Sequence, residues 1–186
     1  MAAGKLAITP IEGGSAASPR GFVAGAVYAG IKTAGRDKLD LGILASERPA
    51  AVAAMFTRST VKGAAVLVSE LHARRGVARA VIVNAGCANV ATGAGGIRDA
   101  DEMAALAATH VQARPFEVLV GSTGVIGRRL PMDRIRAAVP RIALSADGGH
   151  DFARAIMTTD THPKTLAVRF RAAGHEYRIG AVAKGS

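Results

Sequence analysis

Three stretches of small and polar residues are placed to carry chemistry, since each follows an apolar segment that predicts a strand or a helix. Residues 84–93 contain two amides, residues 121–127 are glycine-rich, and residues 157–161 combine three hydroxyls with a carboxylate. Amides also satisfy backbone groups in ordinary turns, and hydroxyls do the same at helix ends. The glycine-rich stretch is consistent with an anion-binding turn built from backbone N–H groups.

None of these stretches matches a catalytic motif of known mechanism. Residues 121–127 lack both the Lys of a phosphate-binding P-loop and the glycine spacing of a dinucleotide fingerprint. The chain has no Gly-x-Ser-x-Gly nucleophile elbow, and Ser122 has no adjacent base. Cys87 has no flanking His or Lys to lower its pKa, so we interpret it as a buried, unreactive thiol. These residues alone predict only a small-molecule site.

The charge balance restricts the kind of partner. The 186 residues include 24 Lys and Arg against 14 Asp and Glu, which gives a net charge of +10. Nucleic acid is disfavoured, because aromatic residues make up 4% of the chain and the basic residues form no long cluster. The positive charge instead fits an acidic partner chain or a carboxylate substrate.

Composition predicts a folded, soluble chain, with 49% hydrophobic residues and no stretch typical of a membrane span. The single Cys excludes an internal disulfide and a thiolate metal site. The five His residues are too widely spaced to indicate a metal site, so we expect no metal. Residues 1–6 lack the apolar segment of a secretory signal, and we therefore expect a cytoplasmic protein.

Apolar patterning predicts strands and helices in alternation, and hence one α/β unit over residues 1–186. Strands are predicted at residues 22–29, 41–44, 50–57, 64–69, 79–83 and 116–120, with a hairpin at 165–171 and 176–183. Helices are predicted at residues 99–111, 131–139 and 149–157. Three acidic residues would occupy the first turn of the first helix, where they suit the helix dipole.

The order of several short motifs resembles that of the ornithine acetyltransferase family, the glutamate N-acetyltransferases of arginine biosynthesis. The motifs are Pro-Arg-Gly-Phe at 19–22, Gly-Ile-Lys at 30–32, Phe-Thr-Arg at 56–58, residues 84–93, Ser-Thr-Gly-Val-Ile-Gly at 122–127, residues 155–161 and Ala-Lys-Gly-Ser at 183–186. The resemblance covers nearly the whole chain. Its most specific parts are the segment at 122–127, Met-Thr-Thr-Asp-Thr at 157–161, and the terminal Lys-Gly-Ser.

The resemblance implies an α/β fold in which β-sheets are sandwiched by helices. It also implies that this chain is the α chain of a self-cleaved α/β heterodimer. Its partner would be a β chain from the same precursor, with a nucleophilic Thr beyond Ser186 and an assembly of α2β2 or larger. The implied reaction moves acetyl from N2-acetyl-L-ornithine to L-glutamate through an acetyl-enzyme, with ping-pong kinetics and no cofactor. Whether acetyl-CoA also serves as a donor stays open.

The resemblance assigns roles to five residues. Thr123 and Gly124 match the pair that forms an oxyanion hole, in which a hydroxyl and a backbone N–H stabilise the tetrahedral intermediate. Thr158 best matches the substrate-contacting threonine, and Thr159 and Thr161 are the alternatives if the register shifts. Lys184 matches a substrate-binding lysine, and its charge suits a carboxylate.

Four residues depart from the family pattern. Ala85, Cys87 and Val90 replace a hydroxyl, an amide and a smaller side chain, and Ala65 stands where the family usually has Pro. We interpret these changes as altered packing around a retained site.

Two other functions stay open at this point. One is a self-processing amidohydrolase or aminopeptidase with an N-terminal Thr or Ser, which would give the acyl group to water. The other is a basic binding module without catalysis, whose retention on nucleic acid would depend on salt.

Overall fold

A computed structural model describes residues 7–32 and 38–185 of the chain. Residues 1–6, interpreted above as lacking a signal peptide, and Ser186 of the terminal motif lie outside the described residues. The elements are β1 (Ile8–Pro10), β2 (Phe22–Val27), β3 (Leu41–Ala51), α1 (Ala64–Ala73), β4 (Val77–Cys87), α2 (Gly93–His110), β5 (Val118–Val125), α3 (Met132–Ala138), α4 (Gly149–Ala155), β6 (Lys164–Ala172) and β7 (His175–Ala183). The α/β class predicted from the sequence is confirmed.

The main sheet has four strands in the order β2-β3-β4-β5. Strands β2, β3 and β4 pair antiparallel, whereas β4 and β5 run parallel, so their carboxyl ends meet at one edge. One face of this sheet carries the larger core, which buries Ile43 and Ile82 against Met103 of α2 and Ile135 of α3. Burial of such side chains stabilises the fold by about 1.5–3 kcal/mol each.

The opposite face of the main sheet packs against α4 through a smaller cluster that includes Ala24, Phe152 and Ile156. A second sheet, in the order β1-β6-β7, adjoins this cluster through Val182. Strands β6 and β7 form the predicted hairpin, whose turn residues Ala173 and Gly174 both have positive φ. Two such residues are what a type I′ turn requires.

The segment 64–69 is helical, so the prediction of a strand there was wrong. It is the first part of α1, and its buried residues Ala64, Ala65, Val68 and Ser69 recur at helical spacing. The apolar run is short enough to fit either structure, but Ala, Leu and Glu in the ten-residue segment favour a helix.

The ends of several elements also differ from those predicted. The two strands predicted at 41–44 and 50–57 are one strand, β3, which continues through residues 45–49 and stops at Ala51. A 3₁₀ turn at Pro115–Glu117 precedes β5. Helix α2 begins at Gly93, so the acidic residues at 99, 101 and 102 lie beyond its first turn. Residues 93–96 include three glycines, whose low helix propensity led the pattern to start this helix too late.

The free edge of β5 is covered by α1. The Ser69 hydroxyl donates to the carbonyl of Val120 and accepts its N–H, both at 2.7 Å. The Nδ1 atom of His72 lies 2.7 Å from the carbonyl oxygen of Val118. The side chains of α1 thus make the hydrogen bonds that a further strand would make, and the backbone groups at the edge of β5 are satisfied.

Candidate active site

An open cleft of about 1100 Å³ is lined by all five residues that the family resemblance assigned. Thr123 and Gly124 come from β5, Thr158 and Thr159 from the turn after α4, and Lys184 follows β7. Residues more than 60 positions apart in the chain are therefore brought to one surface. The cleft lies where the carboxyl end of β5 meets the connection between α4 and β6.

Both strands at the floor of the cleft extend further than the sequence indicated. Residues 84–87 belong to β4 and residues 121–125 to β5, so the two predicted loops begin as strands that pair in parallel. The prediction that the strand ends at residue 120 was therefore wrong, whereas anion binding by backbone N–H groups of this segment stays a prediction. Backbone pairing does not depend on side-chain hydrophobicity, whereas the sequence pattern does.

Two glycines allow three backbone segments to approach one another at this floor. A Cβ atom at Gly124 would lie 2.3 Å from the carbonyl carbon of Gly86. A Cβ atom at Gly86 would in turn lie 2.9 Å from backbone atoms of Ile31 and Lys32. Both glycines have positive φ, at +130° and +114°, which other residues rarely adopt. Any side chain at either position would separate the segments that form the site.

A buried carboxylate holds the segment that carries Lys32. The Oδ1 atom of Asp40 accepts the N–H of Ala29 at 2.6 Å, and Oδ2 accepts those of Ile31 and Lys32 at 2.7 and 3.0 Å. Three N–H donors satisfy this fully buried carboxylate. The sequence motif Gly-Ile-Lys is thereby fixed against the floor of the cleft.

The turn after α4 is held by Asp160, whose side chain is 2% exposed. Its Oδ2 atom accepts the N–H of Thr158 at 3.2 Å, and its Oδ1 atom accepts a hydrogen bond from the Lys164 ammonium at 2.8 Å. The hydrogen bond from Lys164, followed by that from Thr158, lowers the pKa of Asp160 to about 2. The carboxylate is thus charged at neutral pH and shapes the hydroxyl-rich turn.

The cleft is electropositive. Its lining includes five basic residues and two acidic ones: Lys32, Lys38, Arg128, Arg154, Lys184, Asp151 and Asp160. Both acidic residues are paired, Asp151 with Arg154 and Asp160 with Lys164. Burial lowers the pKa of the Lys32 ammonium, which donates to the carbonyl of Leu39 at 3.0 Å. The field of the cleft therefore favours a ligand with carboxylate groups.

The Nδ2 atoms of both amides in residues 84–93 have backbone partners, whereas the buried Oδ1 of Asn84 has none in the described part of the chain. Asn84 Nδ2 donates to the carbonyl of Cys87 at 2.9 Å, and Asn89 Nδ2 donates to that of Gly96 at 2.8 Å. Cys87 is fully buried, its thiol donates to the carbonyl of Arg128, and burial raises its pKa. A raised pKa disfavours the thiolate, so the interpretation of Cys87 as an unreactive thiol agrees with the structure.

Several charged residues at the site had no predicted role. Lys32 occurred in the motif at 30–32, but its support by Asp40 depends on a tertiary contact that periodicity does not reveal. Lys164 lies one residue before the predicted hairpin and received no role from the sequence, although it holds Asp160. The signal available for both Asp40 and Lys164 is a charged residue at the start of a strand.

Within residues 7–32 and 38–185, no group of three or more His, Cys, Asp and Glu side chains is positioned to hold a metal ion. In the same residues, no helix is both long and apolar enough to span a membrane.

Comparison with known proteins identifies the family. A family model described as the ArgJ family matches residues 23–186. The chain belongs to the ArgJ family. The arginine biosynthesis bifunctional protein ArgJ of Dehalococcoides mccartyi is 46% identical over 182 residues, which cover 98% of this chain and 45% of that protein. The ArgJ protein of Symbiobacterium thermophilum is 47% identical over 175 residues, which cover 93% and 44%.

Two crystal structures share the ArgJ fold of this chain. That of arginine biosynthesis bifunctional protein ArgJ from Bacillus halodurans has a TM-score of 0.91 at 37% identity, covering 98% of this chain and 95% of that one. That of ornithine acetyltransferase from Mycobacterium tuberculosis, in complex with ornithine, has a TM-score of 0.87 at 36% identity, with 97% and 96% covered. The chain thus spans less than half of the two ArgJ sequences but nearly all of the two crystallised chains.

Proposed function

We propose that this chain supplies the oxyanion hole and part of the substrate site of a glutamate N-acetyltransferase, which moves acetyl from N2-acetyl-L-ornithine to L-glutamate. The observation that carries the proposal is the cleft, which unites Thr123 and Gly124 with Thr158, Thr159 and Lys184. Those residues match the family's motifs one by one, and family membership supports carrying their roles to this chain.

The proposed chemistry is acyl transfer in two steps. A threonine hydroxyl of a second chain attacks the acetyl carbonyl of acetylornithine, and a C–O bond forms as the amide C–N bond breaks. The hydroxyl proton passes through the α-amine of that threonine to the departing amine of ornithine. The amine of glutamate then attacks the ester, regenerates the hydroxyl and leaves as N-acetylglutamate.

The oxyanion hole is the part of this chemistry that we assign to β5. The Thr123 hydroxyl and the Gly124 N–H donate hydrogen bonds to the oxygen that becomes negative in each tetrahedral intermediate. The close contact between Gly124 and Gly86 supports this assignment, because a rigid floor keeps the donors oriented before reaction.

Substrate recognition is assigned to charge and hydroxyl groups around this floor. Lys184 binds a carboxylate of ornithine or glutamate, while Thr158 or Thr159 contacts the same substrate. The excess of basic residues in the cleft supports this assignment, since both substrates carry carboxylates. No cofactor is needed for amide-to-ester-to-amide exchange, and the use of acetyl-CoA as a second donor stays a prediction.

The second chain corresponds to the part of the ArgJ sequences that this chain does not span. Two lengths support this proposal: the ArgJ sequences are more than twice as long as this chain, whereas the crystallised chains match it almost end to end. Division of one precursor into two chains accounts for both lengths. Assembly into α2β2 or larger stays a prediction.

Mass spectrometry of the protein expressed from its complete coding region tests the proposal. Incubation with acetylornithine alone is expected to add one acetyl group to the second chain and none to this chain. Later addition of glutamate is expected to remove it as N-acetylglutamate. Acetylation of a residue in this chain, or loss of the acetyl group to water at the same rate without glutamate, would contradict acetyl transfer.

A further inference from the structure

A chain of hydrogen bonds connects the two predicted substrate-binding segments behind the cleft. Lys164 donates to the carboxylate of Asp160 and also to the carbonyl of Gly185. The same carboxylate accepts the N–H of Thr158. Thr158 is therefore linked to Gly185, which follows Lys184, through the side chains of Asp160 and Lys164.

The position of Lys164 in the sheet suits it to this connection. Lys164 pairs with Ala183, which is the last register pair between β6 and β7, so Lys184 and Gly185 lie beyond the regular hairpin. Lys164 does not itself line the cleft, whereas Lys184 and Asp160 do. The ammonium thus holds the end of the hairpin from outside the substrate space.

Lys164 and Lys184 differ in their electrostatic surroundings. Asp160 neutralises Lys164, and its carboxylate is nearly inaccessible to solvent. Lys184 is exposed and lines the cleft together with other basic residues. A pair that cancels its own charge can orient neighbouring groups without competing for the substrate's carboxylate.

We propose that the Asp160–Lys164 pair is a positioning device that fixes the separation between Thr158 and Lys184, and so sets affinity for the amino-acid substrate. This inference rests on the proposed function of the cleft. Lys164 does not line the cleft and the Asp160 carboxylate is nearly buried, so each acts through the segment that it holds.

The test is steady-state kinetics of Lys164→Met in the protein expressed from its complete coding region. Methionine removes the charge and both hydrogen bonds while it keeps an unbranched side chain. We expect the KM for acetylornithine to rise about tenfold, the effect of one charged hydrogen bond, with kcat changed less than about threefold. Lys164→Arg, which retains the charge and donors, is expected to restore most of the affinity.

Arg178→Met is the matched control, because Arg178 pairs with Glu176 in the same hairpin but does not line the cleft. It is expected to leave KM unchanged while it removes an ion pair of comparable kind. If the two variants have equal thermal midpoints but different KM values, general destabilisation of the hairpin is excluded.

A double-mutant cycle separates positioning from direct binding. If Lys164 acts through Lys184, Lys164→Met is expected to cost much less affinity in a Lys184→Met background than in the wild type. If the fold-increases in KM of the two single variants multiply in the double variant, the two lysines act independently, and the proposal is overturned. An unchanged KM in Lys164→Met overturns it as well. If Lys164→Met does not assemble, Asp160→Asn gives the same test with volume preserved, and an unchanged KM there overturns it equally.

Binding of ornithine, measured by calorimetry, distinguishes failure of this inference from failure of the proposed function. A wild-type protein that binds ornithine but does not transfer acetyl would contradict the proposed function alone. The variant is still expected to bind ornithine about tenfold more weakly. Equal binding by wild type and Lys164→Met would contradict the positioning role alone.

Discussion

Thr123 is the residue at which the proposed chemistry can be tested with least disturbance to the fold. Its neighbour Gly124 cannot be tested in this way, since any side chain there would collide with the backbone of Gly86. Thr123 lines the cleft, and the preceding residue, Ser122, does not. Ser122 has a buried hydroxyl without a hydrogen-bond partner in the described part of the chain. Neighbouring hydroxyls on one strand therefore provide a test and its control.

Thr123→Ala is expected to lower kcat for acetyl transfer by about 10²–10³, the usual loss for one oxyanion donor, with KM nearly unchanged. The reason is that the hydroxyl acts on charge that exists mainly in the transition state. Ser122→Ala is expected to retain near-normal turnover. Steady-state kinetics with thermal melting checks both, and a destabilised but fully active Thr123→Ala would show that this hydroxyl only supports the strand.

The pH dependence of stability provides a second test at the residue level. Because the folded-state pKa of Asp160 is lowered from 3.8 to about 2, its ion pair stabilises the protein above the unfolded pKa, and this contribution disappears as pH falls toward the folded pKa. Asp160→Asn is therefore expected to reduce the thermal midpoint more near pH 6 than near pH 3.

The exposed carboxylate of Asp133, which pairs with Arg136, offers the control for that experiment. Exposed ion pairs contribute little to stability, so Asp133→Asn is expected to change the midpoint only slightly at either pH. A constant difference between wild type and Asp160→Asn across this range would contradict a stabilising ion pair at Asp160.

At the level of elements, the contact between helix α1 and strand β5 can be tested directly. Ser69→Ala removes the hydroxyl that satisfies both backbone groups of Val120, and the protein is expected to lose about 1–3 kcal/mol of unfolding free energy. Ser59 lies in an exposed segment and is the matched control. Ser59→Ala is expected to lower the unfolding free energy by less than about 0.5 kcal/mol. Urea unfolding measures both, and equal losses would show that α1 does not protect the edge of β5.

Elements with clear apolar periodicity were predictable from the sequence. Strand β2, the central part of β4, helices α3 and α4 and the β6–β7 hairpin were all predicted close to their observed bounds. The error at α1 arose because a short apolar run fits a helix or a strand, and tertiary packing decides between them. The glycine-rich end of β5 was missed because its strand structure depends on pairing with β4 rather than on its own side chains.

The candidate site was predictable only through its motifs. Periodicity indicates neither that Thr123 and Lys184 line one cleft nor that Lys164 donates to Gly185, since both arrangements require the complete fold. The family resemblance supplied the five lining residues because motif order reflects a shared fold. The supporting contacts of Asp40 and Lys164 had no motif to mark them, and the structure was needed to reveal them.

At the level of the whole molecule, the outer face of the second sheet is apolar and exposed. Ile8, Leu166, Tyr177 and Ile179 are all about half exposed or more on this face, and Phe170 stacks on Tyr177 beside them. Exposed apolar patches of this kind mark interaction surfaces or aggregation sites. We therefore expect the isolated chain to self-associate. We also expect it to lack transferase activity, because the proposed nucleophilic threonine belongs to the second chain.

Sedimentation of the isolated chain checks this expectation, and Ile179→Lys is expected to reduce its self-association. Leu71→Lys alters a similarly exposed apolar residue on α1 and is the matched control, expected to have less effect. A monomeric isolated chain that turns over acetylornithine would contradict the need for a second chain.

The central claim is that the cleft serves acetyl transfer between two amino acids, and initial-rate kinetics of the complete protein tests it most directly. Rates measured while acetylornithine and glutamate are both varied are expected to give parallel double-reciprocal lines, as an acetyl-enzyme intermediate requires. Release of ornithine is expected to accelerate with glutamate and to match formation of N-acetylglutamate. Ornithine release that is independent of glutamate, with free acetate as the product, would identify a hydrolase and contradict the account.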